Sequence, residues 1–308
     1  MKSKRMSLVG IAIATFNRKE RLQECLDAIN KSIYKNILIS VVDDGSTDGT
    51  WEMLDTDFPK VEKIKGDGNL WWGGATNKAI KKCLDLGCDY VILLNDDCII
   101  SNNTISKFIK RSKEFPDTVI APVTLDIKFP DYLWWAGSSW GPLKSLPFIW
   151  LIRQKFQHNT HVSELPNFPY TTSEFTGRGI FIPKSIFNRF GLIDSKLFPQ
   201  YGSDNDFSLR ITTGGGKAIV DPDNRVFLYT DEAGQNTSGN FFTLPIRYFK
   251  LMFYRKHGEA VRYWWHLLKR HSPWYAMLPS YIFILILIFL RVFNILPILY
   301  KVFGQKKQ

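Results

Sequence analysis

The sequence predicts an α/β protein: a mostly parallel sheet with helices on both faces, followed by a basic helical tail. Three observations carry that reading. First, Tyr90-Val91-Ile92-Leu93-Leu94 runs straight into Asn95-Asp96-Asp97 and back into apolar Cys98-Ile99-Ile100. That is the pattern of a strand buried on both faces in the middle of a parallel sheet. Second, strand-length apolar runs alternate with helix-period segments from Leu8 onward, a β-α-β-α order that implies parallel, right-handed connections. Third, charge segregates: residues 1–239 carry 29 Lys and Arg against 28 Asp and Glu, whereas residues 240–308 carry 11 against 1.

Leu8 to Ala14 is the expected first strand. Lys2, Lys4 and Arg5 ahead of it mimic a short signal peptide, but Thr15-Phe16-Asn17-Arg18 follows where a small-residue cleavage site would be needed. Asn17 with Glu20 predicts a capping box that opens a helix with Leu22, Cys25, Leu26, Ile29 and Ile33 on one face. Ile37 to Val42 is a second strand ending in the acidic loop Asp43 to Thr50. A short helix (Trp51 to Leu54), a strand (Val61 to Lys65), a Gly-rich loop and a helix (Ala75 to Leu86) lead to the Tyr90 strand. Further on, helices are expected over Thr104 to Lys113, Lys184 to Phe190 and Asp204 to Thr212. Strands are expected at Val119 to Val123, Gly179 to Ile182, Lys217 to Val220 and Arg225 to Tyr229. Phe129 to Pro169, dense in Trp, Pro and Gly without a period, predicts a long irregular connection.

The expected division is 1–239 as a ligand-binding catalytic domain and 240–308 as a basic, aromatic helical segment. The net charge of +11 belongs to that tail and accompanies apolar surface, which excludes a nucleic-acid partner and points to an anionic membrane surface. Val261, Trp264, Trp265 and Leu268 form an apolar helix face, with Arg255, Lys256, Arg262, Lys269 and Arg270 supplying charge. Trp274 to Leu290 is 17 residues without a charge, interrupted by Pro279, at the lower limit of a membrane span. In-plane or re-entrant attachment is expected, the alternative being a helix buried against the catalytic domain. Cys25, Cys83, Cys88 and Cys98 contain no C-x-x-C pair and read as buried thiols of a reducing cytosol.

Adjacent carboxylates at the end of a buried strand are costly unless a cation meets them. Ligands of open α/β sheets bind at that end of the strands. Asp96 and Asp97 therefore either hold a divalent metal carrying a phosphorylated ligand or cap the next segment. Thr15 leaves strand one and Asp44 leaves strand two, so both can face one crevice, where a carboxylate can accept the imide N–H of uracil or thymine. Asp43 and Asp48 read as turn and cap residues. In Gly66-Asp67-Gly68-Asn69-Leu70-Trp71 the dinucleotide spacing G-x-G-x-x-G fails at Trp71. Trp71 and Trp72 are either a sugar-stacking wall or core.

Ala14-Thr15-Phe16-Asn17-Arg18, Val41 to Asp48, Asn69 to Asn77, Leu94-Asn95-Asp96-Asp97, and Tyr201-Gly202-Ser203-Asp204-Asn205-Asp206 with Arg210 resemble, in order, the motifs of family 2 inverting glycosyltransferases. Within that family the set is most similar to rhamnosyltransferase-like enzymes of bacterial surface-polysaccharide assembly. The resemblance implies a glycosyltransferase-A type, Rossmann-like fold. It implies an enzyme that moves a sugar from a nucleotide-sugar donor, dTDP-rhamnose or a UDP-sugar, to a lipid-linked saccharide acceptor at the cytoplasmic membrane face. It makes Asp44 the base contact, with Phe16 and Arg18 near the ring, and sets Asn69, Gly74 and Asn77 against the donor. Asp97 becomes the ligand of Mn2+ or Mg2+, with Asp96 on the ribose or sharing the metal, Arg178 an anion contact and Asp204 the general base. Two departures stand out: Ser203 replaces the first acid of the family's usual acidic pair, and Val226 to Asp231 offers no metal-binding His, leaving Asp231 or water. A sugar nucleotidyltransferase and a catalytically impaired nucleotide-sugar-binding protein are the alternative readings.

Overall fold

The computed structural model describes residues 5–230 and 259–292. Its elements are β1 (Val9–Thr15), α1 (Lys19–Asn30), β2 (Ile37–Asp43), α2 (Thr50–Thr56), β3 (Glu62–Lys65), α3 (Trp71–Asp85), β4 (Tyr90–Leu93), β5 (Cys98–Ile100) and α4 (Thr104–Glu114). There follow β6 (Thr118–Asp126), β7 (Leu133–Trp135), β8 (Ser138–Leu143), β9 (Leu146–Gln154), β10 (Tyr170–Thr171), β11 (Ile180–Pro183), α5 (Lys184–Phe190), α6 (Ser203–Thr213), β12 (Lys217–Leu228), α7 (Glu259–His271) and α8 (Trp274–Val292).

The main sheet runs β10-β12-β6-β11-β4-β1-β2-β3, with β5 paired to β12 and β7 to β6. It is mixed but mostly parallel: β3, β2, β1 and β4 run together, as do β6 and β12, while β11 is antiparallel between β4 and β6. Side chains alternate across each strand, so both faces must be covered. Val9, Ile11 and Ile13 of β1 join Leu22 and Leu26 of α1, Leu54 of α2 and Phe108 of α4. Ala12, between them, joins Ala75, Ala79 and Ile80 of α3 and Phe207 of α6 on the opposite face. Helices therefore lie on both faces, and β1 is a buried central strand.

Several local expectations are corrected. The Asn17–Glu20 capping box does not form: Asn17 takes a left-handed φ of 52°, and its Oδ1 accepts from the Thr47 N–H at 2.8 Å. The start of α1 is satisfied instead by Asp48, whose Oδ2 accepts from the Lys19 N–H at 2.9 Å. Ile33 lies beyond α1 and is 59% exposed. The run from Tyr90 to Ile100 splits into β4 and β5, turning at the acidic triplet. The connection from Phe129 to Pro169 contains strands β7 to β9, with β8 and β9 paired as a separate hairpin. The two late strands are one, β12, with a register shift between Asp221 and Arg225 where Pro222 removes a ladder donor.

The chain divides into two units. Among the described residues the first holds 5–139 and 152–230, and the second joins 140–151 to 259–292. In the second unit Trp140 Nε1 donates to the His271 carbonyl at 3.2 Å and the Trp150 N–H to Ser280 Oγ at 2.8 Å. Leu267, Leu268, Ala276 and Ile284 are buried there, whereas Trp274, Leu278, Ile282, Ile286 and Phe289 of α8 are exposed at helical spacing. Among the described residues no helix is long and apolar enough to cross a membrane. The expected 239/240 boundary, Arg255 and Lys256 lie outside the described residues.

Gly10 marks a close contact of β1 with α3. A Cβ there would stand 2.7 Å from the Cys83 Cβ. Gly10→Ala is expected to destabilise the protein by about 1–3 kcal/mol through overpacking, read as a fall in the urea midpoint. An unchanged midpoint would mean that this contact is loose.

Candidate active site

Parallel pairing of β1 with β4, Ala12 opposite Leu93, brings Thr15 and the acidic triplet out of the sheet side by side. Asp96 and Asp97 are 5% and 7% exposed. Asp96 Oδ2 accepts from Thr15 Oγ1 at 2.8 Å and its Oδ1 from Arg18 Nη1 at 3.1 Å; the same nitrogen donates to Asp97 Oδ2 at 3.0 Å. One guanidinium thus bridges both carboxylates. Burial pushes Asp96 up to about 6, against the pull of Arg18. Burial first, and then the charges of Asp96 and Asp97, push the nearby Cys25 thiol well above its ordinary range.

The β2 loop is organised by its acids. Asp43 Oδ1 accepts from the Ser46 N–H at 2.9 Å, a turn contact. Asp44 is buried, and its carboxylate takes three backbone N–H groups, those of Gly68 at 3.0 Å, Leu70 at 3.2 Å and Trp71 at 2.9 Å. A carboxylate at a helix start meets the positive end of the backbone dipoles, and α3 accordingly begins at Trp71 rather than at the expected Ala75. A carboxylate has about four lone-pair sites, so these three bonds leave room for one further N–H. Phe16, next to Asn17 which bonds this loop, is 52% exposed. Asn69 is exposed and bonded within its own turn to Asp67, and Gly74 lies in the first turn of α3.

Trp72 is fixed rather than free. Its N–H donates to Gln200 Oε1 and its indole Nε1 to Asn95 Oδ1, both at 2.9 Å, and a Cβ on Gly177 would come within 2.3 Å of its ring. Asn77 is not brought to the carboxylates: its amide clasps the backbone of Ile193, donating at 2.8 Å and accepting at 3.1 Å. Asp206 and Arg210 pair with each other at 2.9 Å.

The opposite wall is the loop from Thr176 to Gly179 and the start of α6. The Gly179 N–H donates to the Leu93 carbonyl at 2.7 Å, tying this loop to the end of β4. Asp204 Oδ2 accepts from the Gly177 N–H at 3.3 Å and its Oδ1 from the Asn205 N–H at 2.9 Å. Burial raises the Asp204 pKa and the charge of Arg178 lowers it, with burial the larger effect. Arg178 also acts electrostatically on Cys98, beside Asp97, so its charge reaches both walls. The structure adds Glu174, which no sequence motif marked: it is 3% exposed and accepts from Asn205 Nδ2 at 2.8 Å. Its signal was an acid set between Ser173 and the apolar Phe175, just ahead of the Thr176-Gly177 turn.

Among the described residues no group of three or more His, Cys, Asp or Glu gathers to hold a metal ion, and Asp231 lies outside them. The all-oxygen pair Asp96 and Asp97 nonetheless fits Mg2+ or Mn2+, which are commonly held by one or two carboxylates plus substrate phosphates. Asp97 is the better placed of the two: its Oδ1 meets the weak Cys98 thiol donor at 3.6 Å, while both Asp96 oxygens are engaged by Thr15 and Arg18.

A family model described as glycosyl transferase family 2 matches residues 10–192. Glycosyltransferase GlyG of Streptococcus pneumoniae serotype 4 (strain ATCC BAA-334 / TIGR4) is 27% identical over 107 residues, 35% of this chain and 36% of that protein. N-acetylglucosaminyl-diphospho-decaprenol L-rhamnosyltransferase of Mycobacterium tuberculosis (strain ATCC 25618 / H37Rv) is 22% identical over 238 residues, 70% and 74% of the two chains. A crystal structure of GalNAc-T7 with UDP, GalNAc and Mn2+ superposes with a TM-score of 0.59 at 15% identity, covering 86% of this chain and 52% of that one. The matched region thus spans about a third of GlyG and about half of the GalNAc-T7 chain. The structural likeness is one of fold, of the glycosyltransferase-A type.

Arg18→Gln would leave two buried carboxylates without their cation. The expected loss is about 1–3 kcal/mol, below the value for a fully buried pair because the Arg18 side chain is 32% exposed. Millimolar Mn2+ should raise the melting temperature of the variant more than that of the parent chain. Identical melting curves for the two proteins would mean that Arg18 contributes nothing to holding the pair.

Proposed function

Because the chain belongs to glycosyl transferase family 2, we propose that it transfers a sugar, with inversion, from a dTDP-rhamnose or UDP-sugar donor to a lipid-linked saccharide at the cytoplasmic face of a membrane. The observation that carries this reading is the convergence, at the strand ends, of the Asp96–Asp97 pair, Arg178 and Asp204. The mycobacterial relative, named for an L-rhamnosyl group and a diphospho-decaprenol acceptor, supports both substrate classes. GalNAc-T7, with UDP and Mn2+ on a similar fold, supports a divalent cation.

In this reading Asp44 accepts the imide N–H of the base through its remaining lone pair, and the Phe16 ring packs beside it. Thr15 and Arg18 hold Asp96 in place next to Asp97. Asp97, with Asp96 beside it, would hold Mn2+ or Mg2+, which would supply positive charge to stabilise a departing diphosphate. Arg178, whose charge acts on both Cys98 and Asp204, adds a second positive charge to the site. Asp204 takes the proton of the acceptor hydroxyl as that oxygen attacks the anomeric carbon opposite the leaving group. Burial raises its proton affinity, which suits a general base, while the charge of Arg178 and the Gly177 N–H oppose that shift. The exposed apolar row of α8, next to Lys269 and Arg270 at the end of α7, supports attachment of the second unit to an anionic bilayer.

Release of nucleoside diphosphate from a panel of nucleotide sugars, with Mn2+ and a lipid-linked acceptor, is the direct test. Turnover is expected with a dTDP- or UDP-sugar, and Asp97→Ala and Asp204→Asn should each lower it by about 10²–10⁴-fold. Donors that bind without turnover would favour a nucleotide-sugar-binding protein, and pyrophosphate release from a nucleoside triphosphate would favour a nucleotidyltransferase. For the membrane part, the double variant Leu278→Glu, Ile282→Glu should cut co-sedimentation with anionic liposomes at least about tenfold, since each buried aliphatic side chain is worth about 1.5–3 kcal/mol. Equal co-sedimentation would remove α8 as the attachment surface.

A further inference from the structure

Glu174 is a buried acid to which the reaction as drawn gives no task. A carboxyl group withdrawn from water is costly unless it is hydrogen-bonded, and the bonds Glu174 makes lead toward Asp204. Its Oε1 accepts from Asn205 Nδ2 at 2.8 Å, and the side chains of Ser138 and Trp135 also hydrogen-bond its carboxyl group. Trp135 Nε1 in turn donates to Ser138 Oγ at 3.0 Å. The backbone is held as firmly: Thr172 Oγ1 donates to the Glu174 carbonyl at 2.6 Å, and Glu174 bridges Ser138 across an antiparallel pair. Asn205 follows Asp204 in the first turn of α6, and its N–H donates to Asp204 Oδ1. A three-residue chain thus runs from Glu174 through Asn205 to Asp204, all within the first unit.

We propose that Glu174 is a positioning residue for Asp204: through Asn205 it fixes the first turn of α6, and as a second buried acid it sets the field in which Asp204 takes up a proton. The proposal rests on reading Asp204 as the general base. Burial, and then the charge of Asp204, push Glu174 up to about 7. Asp204 is the charged group that acts on Glu174, and Arg178 acts on Asp204 with the opposite charge. Glu174 therefore passes from its neutral to its charged form as pH rises through about 7. As pH rises through 7, a second negative charge appears beside Asp204 and strengthens its hold on a proton. A neutral, isosteric amide at 174 keeps the bond to Asn205 and removes that second charge.

The test compares Glu174→Gln with Glu174→Ala in the full chain by steady-state kinetics against pH, and follows the Asp204 carboxyl by 13C NMR. Glu174→Ala should lower kcat at least about tenfold with the donor KM within about twofold, the signature of a misplaced base rather than lost binding. Glu174→Gln should recover most of that loss at pH 6.5 and abolish the inflection near pH 7. In the NMR titration, Asp204 should show a second inflection near that pH in the parent chain and a single step in Glu174→Gln. Unchanged kcat in Glu174→Ala, equal losses in both variants, or identical Asp204 titrations in the parent chain and Glu174→Gln would each overturn the proposal. A parent chain that turns over no donor would instead refute Asp204 as the base, and the NMR comparison would still decide the coupling of the two acids.

Discussion

Two carboxylates buried at the end of β4 demand a cation, and much of the first unit's loop structure answers that demand. An isolated buried ion costs far more than the few kcal/mol by which a domain is stable. The parallel pairing of β1 with β4 meets the cost by placing Thr15 and Arg18 directly across from Asp96 and Asp97. Arg18 is held at the mouth of α1 because the residues on either side of it are tied to the β2 loop. Asn17 bonds Ser46 and Thr47, and Lys19 bonds Asp48. The cation that neutralises the pair is thus set by backbone geometry rather than by a flexible surface side chain. The upward shifts of the Cys25 and Cys98 thiols, to which both burial and the acidic charges contribute, record the negative field that remains.

A second constraint is the close approach of loops around that field. Asp44 gathers the loop from Gly68 to Trp71 and starts α3; a Cβ on Gly66 would come within 2.3 Å of its carboxylate, so only glycine allows the approach. Trp72, pinned between Asn95 and Gly177, carries the order of α3 to the loop that contains Arg178 and whose Gly177 N–H donates to Asp204. The acidic triplet and the start of α6 are therefore one connected arrangement: a shift in Trp72 would be felt both at the triplet and at Asp204. That continuity is how a fold supplies positioning to about an ångström, on which transfer between two bound substrates depends.

The parts of the fold that follow from burial were readable in the sequence. Val9 to Thr15, Ile37 to Asp43 and Tyr90 to Leu93 are short, largely apolar runs bounded by polar turns, and that length and content separate a strand covered on both faces from a buried helix. The hairpin of β8 and β9 was not readable, because Gly141 and Pro142 interrupt it and its residues alternate in exposure without a clean period. The capping box failed for a related reason: Asn17 and Glu20 have the right spacing, but a tertiary acceptor, Asp48, competes for the helix start, and local spacing cannot see it. At the site, Asp96, Asp97, Asp44 and Asp204 announced themselves as acids in places where acids are costly. The resemblance set Arg18 near the base ring and Asn77 against the donor, whereas the structure bonds Arg18 to Asp96 and Asp97 and the Asn77 amide to Ile193, and Glu174 carried no motif. Each of these three bonds a partner more than 30 residues away in sequence.

The most direct measurement is an electron paramagnetic resonance titration of Mn2+ into the full chain, with and without UDP or dTDP. A diphosphate edge built on Asp97 and Asp96, with few protein ligands of its own, predicts weak Mn2+ binding alone. Binding should strengthen markedly with the nucleoside diphosphate, and Asp97→Ala should abolish the gain. Mn2+ binding that is indifferent to the nucleotide, or that survives Asp97→Ala unchanged, would contradict the assignment of the buried carboxylate pair to the donor site.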